Sequence, residues 1–176
     1  MSKKSYVGVG LLAAAILLTA GLIIYGQQQQ NDPKSAQRKM DQMNERGDHA
    51  MGFDHMKTTH HFIVTSQGGS IQVEANDEND KMSRDQIRMH LRRIAMMFSE
   101  GNFEAPMLVH DETPPGTEVM RQLKNEISYQ YQEIERGASV WISTKNPDAL
   151  AAVHEFLRYQ IKEHKTGDSL EAKPSP

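Results

Sequence analysis

The chain has 176 residues, 23 of them acidic and 20 basic, with no cysteine and a formal net charge of −3. The missing cysteines exclude disulfide frameworks, zinc–thiolate sites and cysteine nucleophiles, and an acidic balance without a basic cluster excludes a nucleic-acid-binding design. A hydrophobic share of 38% beside 24% charged residues places the bulk of the chain among globular domains rather than disordered polymers.

Residues 1–26 read MSKKSYVGVGLLAAAILLTAGLIIYG. Lys3 and Lys4 precede an uncharged run from Tyr6 to Tyr25, close to the roughly 20 residues a helix needs to cross a bilayer. A cleavable signal has a shorter apolar core and a small-x-small site. Thr19-Ala20-Gly21 is a poor site of that kind, and Leu22-Ile23-Ile24 continue the run past it. The segment predicts an uncleaved N-terminal anchor that makes the membrane a partner. Its lysines stay in the cytoplasm, which predicts a single-pass protein of a bacterial inner membrane with its domain in the periplasm. Residues 27–50 are polar and read as a flexible tether. Ser35 to Arg46 can form a short charged helix there, with nothing evident to hold it to a core. The folded domain is predicted over 51–168, and residues 169–176 as a disordered tail.

Within the domain the order strand, glycine turn, strand, helix occurs twice. The first copy is His60–Ser66, Gly68-Gly69, Ser70–Ala75 and a helix over Ser83–Phe98. The second is Ile127–Ile134, Gly137-Ala138, Ser139–Thr144 and a helix over Pro147–His164. GGSIQV lines up with GASVWI. A shorter helix is predicted over Pro115–Asn125, with proline near its first turn. Alternation along the strands puts Phe62, Val64, Ile71, Val73, Ile127, Tyr129, Tyr131, Val140 and Ile142 on one apolar sheet face. Stripes at Ile87, Leu91, Ile94 and Phe98, and at Leu150, Val153, Leu157 and Ile161, turn the two long helices toward it. The predicted fold class is α+β. It is a two-layer sandwich in which a four-stranded antiparallel sheet carries helices on one face, built from a duplicated strand–strand–helix unit. The opposite sheet face carries Ile63 and Trp141. It offers a surface for a homodimer contact or a protein partner, and the plainer reading is that neighbouring side chains half-cover both.

The residues most suggestive of chemistry lie at the domain entry. HAMGFDHMKTTHH, from His49 to His61, holds four histidines and two methionines in thirteen residues. Imidazole and thioether together suit copper better than most metals, so His49, Met51, His55, Met56, His60 and His61 are candidate ligands and copper the candidate cofactor. The plainer reading is a polar linker whose methionines fill gaps at the domain edge. His60 and His61 are strand neighbours and point to opposite faces. His60 then shares the core face with Phe62, and the pair cannot serve one ion on a regular strand. His154 falls in its helix's apolar stripe and His90 flanks the other. Each is a candidate ligand, or else a neutral histidine held by one hydrogen bond. His164 reads as a helix C-terminal residue, and His110 as part of a solvated loop that caps the helix at Pro115. No HExxH, GxSxG, P-loop or GxGxxG pattern is present, and no catalytic residue is assigned.

MGFDHMKTTHHF, GGSIQVEAND, IRMHLRRIAMMFSEGNFEAPMLVH, PPG and AVHEFLRYQIKEHKTGD, which span Met51 to Asp168, resemble a family of small exported bacterial proteins of uncharacterised function. Members often carry the label aspartate carbamoyltransferase. The sequence does not support that activity. Such a transferase needs two α/β domains and a Ser-Thr-Arg-Thr loop for carbamoyl phosphate, and here only Ser143-Thr144-Lys145 stands at a strand end. The resemblance also implies an association with copper and heavy-metal resistance. The sequence thus predicts a membrane-anchored periplasmic metal-binding protein, with copper in homeostasis or delivery. The alternative is a non-catalytic periplasmic interaction module whose histidines are structural.

Overall fold

A computed structural model describes residues 33–175. The predicted anchor and the start of the tether lie outside them. Among the described residues no helix is long and apolar enough to cross a membrane. The helix that follows the predicted anchor carries Lys34, Arg38, Lys39, Asp41, Glu45, Arg46 and Asp48, charges that hydrocarbon does not accept. The expected membrane partner and the single-pass inner-membrane location with a periplasmic domain are corrected accordingly.

The chain divides into two compact units, Met1–Gln42 and Met43–Pro176. The described part of the first is helical. It forms the opening of α1 (Pro33–Met51), which extends on both sides of the short charged helix that the sequence allows over Ser35–Arg46 of the tether. From Met43 onward α1 belongs to the second unit. Met43 and Gly47 are buried there, and Arg46 Nε donates to Val109 O at 2.9 Å. These contacts and Met51, which packs against the core from the helix end, hold it, too sparse a pattern to read as a stripe.

The second unit continues through β1 (Thr58–Thr65), β2 (Gly68–Ala75), α2 (Lys81–Ser99), α3 (Glu104–His110), α4 (Thr117–Gln122), β3 (Ile127–Ile134), β4 (Gly137–Thr144) and α5 (Pro147–His164). The four strands form one antiparallel sheet in the order β1-β2-β4-β3. Each hairpin is one copy of the repeat, and the copies meet where Ile71 stands opposite Val140 and Val73 opposite Ala138. The long helices cross over: α2 lies chiefly on β3 and β4, and α5 on β1 and β2. Between helices and sheet lie Val73, Val140, Ile142, Ile87, Leu91, Phe98, Val153, Phe156 and Leu157, all buried. Gly69 marks the close approach of α5, since a Cβ there would stand 2.4 Å from Leu157 Cδ1 and 2.1 Å from Ile63 O.

Two surface features refine the picture. Trp141 and Ile63 flank Ser70 on one cross-strand rung, and both are half-buried. The end of the chain, read as a disordered tail, lies along the edge strand β1. Lys173 N donates to Val64 O at 3.0 Å, and Ser66 N donates to Lys173 O at 2.8 Å, which forms a parallel bridge from Thr65 to Lys173. An edge strand exposes unpaired backbone groups, and this segment satisfies one in β1 and one just past its end.

Candidate metal centre

The thirteen-residue cluster divides among three places. α1 stops at Met51 because Gly52 takes φ +78°, a conformation open to glycine at little cost. Gly52 N closes the helix end on Asp48 O at 2.9 Å. The reversal brings the following residues back along the last turn of α1. Asp54 then caps a single 3-10 turn, His55–Lys57, by accepting from Met56 N at 2.8 Å. His55 meets Asp48 with both backbone and ring. Its N donates to Asp48 Oδ1 at 2.8 Å, and its Nδ1 lies 2.9 Å from each carboxylate oxygen.

One ligand atom each from Asp48, Asp54 and His55 lies within 4.8 Å of the other two, so the group has the geometry to hold a metal ion. All three side chains are at least partly exposed. An adjoining depression is lined by Asp48, His49, Asp54, Asp80 and Met82, with Lys57 as its cation, and His55 stands outside its wall. His49 is exposed, Met82 is 73% exposed and Met56 74% exposed. Two carboxylates and an imidazole are a hard-to-borderline donor set, suited to a divalent ion such as Cu(II) or Zn(II). The two carboxylates offset the charge such an ion brings. Sequence reasoning that counted histidines and methionines passed over Asp48 and Asp54. The available signal was an aspartate two residues before Met56 in capping position, together with a glycine able to reverse the helix.

His60 begins the second place. It faces the helices beside Phe62, as strand alternation requires. Its ring stacks on Phe53 at 6.0 Å and on His164 at 5.9 Å between centroids. His90 meets the other side of this cluster edge-on to Phe53 at 5.6 Å, and His110 stands edge-on to His164 at 5.0 Å. His60, His90, His110, His164 and Met51 all line a cleft of about 70 Å³ with no Asp, Glu, Lys or Arg in its wall. Burial holds His60 and His90 down to about 4 and His164 to about 3, and neighbouring histidines deepen each depression. These three imidazoles are neutral at neutral pH. His110, 4% exposed, is the last residue of α3 and not part of a solvated loop. Its Nε2 donates to Gln160 Oε1 at 2.9 Å. His164 lies one turn beyond Gln160 and Ile161 and continues their face of α5, half-buried.

The remaining histidines are fastened elsewhere. His61 Nδ1 lies 3.0 Å from Asp168 Oδ1, and Phe62 N donates to Asp168 Oδ2 at 3.0 Å. Burial pushes the Asp168 carboxyl up, but hydrogen bonds from Thr166, Phe62 and His61 outweigh it and hold the group below the usual carboxylate range. His154 Nε2 donates to Thr65 O at 2.9 Å, so that nitrogen is occupied by the sheet edge. The predicted ligands therefore do not form one centre. His55 joins two aspartates, His60 and His90 line the cleft with Met51, and His61 and His154 are hydrogen-bonded to Asp168 and to the Thr65 carbonyl. Comparison with family models, with characterised proteins and with solved structures finds no match for this chain.

Proposed function

We propose that this chain binds a divalent transition metal, copper, at Asp48, Asp54 and His55, and that it serves to hold or hand on that metal. The observation that carries the reading is the convergence of three donors of the right chemistry within 4.8 Å at a partly exposed helix end. Copper is favoured over its neighbours because Cu(II) binds N/O sites most strongly among the divalent first-row ions. The exposed His49 beside Asp48, and the thioethers of Met56 and Met82, add donors that copper accepts. A partly exposed centre exchanges its ion readily, which suits delivery better than a structural role. The test is electron paramagnetic resonance of the full chain loaded with Cu(II). A single signal with imidazole nitrogen coupling that disappears in His55→Ala supports the reading, and a signal indifferent to His55→Ala sinks it.

A second reading is favoured by particular bonds. His61, His110 and His154 are each tied to a fixed partner, as in an interaction module whose histidines are structural. On that reading His154→Ala and His110→Ala lower apo stability, and added copper leaves the unfolding midpoint of the wild-type chain unchanged.

A further inference from the structure

The cleft behind the first strand has a donor set unlike that of the surface cluster. Its wall offers neutral imidazoles and one thioether and contains no charged side chain. We propose that the cleft lined by Met51, His60, His90 and His164 is a second metal site, and that it takes a soft monovalent cation, Cu(I).

Taking an ion from water into apolar surroundings costs free energy that rises with the square of its charge. With no carboxylate in the wall, a divalent ion there keeps its full charge uncompensated, whereas a monovalent one is far less penalised. Softness points the same way. Thioether selects Cu(I), and imidazole accepts it. Coordination number agrees as well. Among the described residues only Asp48, Asp54 and His55 bring three histidine or carboxylate donors within 4.8 Å of one another, so His60, His90 and His164 do not gather as a three-imidazole zinc site. Two imidazoles with the Met51 sulfur are enough for Cu(I), which is stable at low coordination.

Two further observations fit a ligand. The cleft holds about 70 Å³ of space, more than a single water needs and less than an organic ring requires. The imidazoles also hold no proton at neutral pH that a metal must displace, because burial has already removed it.

The claim is separate from the surface reading, and its test keeps the two apart. The full chain is titrated anaerobically with Cu(I) held by bicinchoninate, and in parallel with Cu(II). Met51→Leu keeps the bulk of the wall, and His90→Phe keeps its ring. Each is expected to weaken Cu(I) about tenfold or more while leaving Cu(II) affinity unchanged. Asp48→Asn is expected to do the reverse. Failure of the chain to draw Cu(I) from the chelator overturns the proposal, and so does a Cu(I) affinity indifferent to both cleft variants. Failure of the wild-type chain to bind Cu(II), with Cu(I) binding retained, counts against the surface reading and leaves this one standing.

Discussion

His55 and His60 are five residues apart and live in opposite surroundings. His55 lies against the Asp48 carboxylate at a partly exposed helix end. His60 lies between Phe53 and His164, over a wall of aliphatic and aromatic side chains. The same side chain is in one place the partner of a negative charge and in the other an uncharged donor that burial keeps from protonating. What differs is the backbone that delivers it. A glycine-reversed helix end brings His55 to carboxylates, and a strand that alternates in and out sends His60 under the helices. Histidine counting in a sequence cannot separate these two environments, and the local backbone can.

The largest test of the contrast uses acid. His60, His90 and His164 have folded-state values of about 4, 4 and 3 against an ordinary 6.5, so the unfolded chain binds their protons more readily. Their contribution is intact above pH 6.5 and is lost progressively as the pH falls toward 4 and below. Together they are expected to cost on the order of 5 kcal/mol by pH 4, the deep depressions being discounted for water that enters the cleft. Urea unfolding of the apo chain across pH 4–7 measures it, and a flat profile breaks the contrast. Next comes a charge placed by mutation. His164→Glu is expected to lower stability by about 3 kcal/mol, while His49→Glu at the exposed surface changes it by less than about 0.5 kcal/mol. Equal effects at the two positions mean that the cleft is as wet as the surface. A smaller loss than that of His164→Glu is expected of Asp54→Ala. The loss of its cap on Met56 N costs about 1 kcal/mol, read as a shift in urea midpoint, and the cleft imidazoles keep their proton resonances unchanged.

Much of this fold can be read directly in the residues. Period-two alternation through Phe62, Val64, Ile71 and Val73, and its echo in β3 and β4, specifies both hairpins and their faces, and puts His60 inward and His61 outward. The stripes on α2 and α5 specify the second layer. The harder parts depend on contacts far apart in sequence. α3 has Pro106 in its first turns and ends in a buried histidine, and neither suggests a helix beside a loop-like HDETPPG. The latter part of α1 is held through Met43, Gly47 and the Val109 carbonyl, which only the folded unit brings together. The last residues bind β1 through backbone groups, and a sequence does not display those. The cleft needed His164 to be read as one more turn of the α5 face that carries Gln160 and Ile161, and the surface centre needed two aspartates to be counted beside the histidines.

The central claim, metal held by Asp48, Asp54 and His55, is tested most directly by competitive titration of the full chain with Cu(II) against a chelator of known affinity, alongside Asp48→Asn. The account predicts one Cu(II) per chain, weakened about tenfold or more by the substitution. Equal affinity in the two proteins, or binding no tighter than that of an unrelated histidine-containing control, contradicts it.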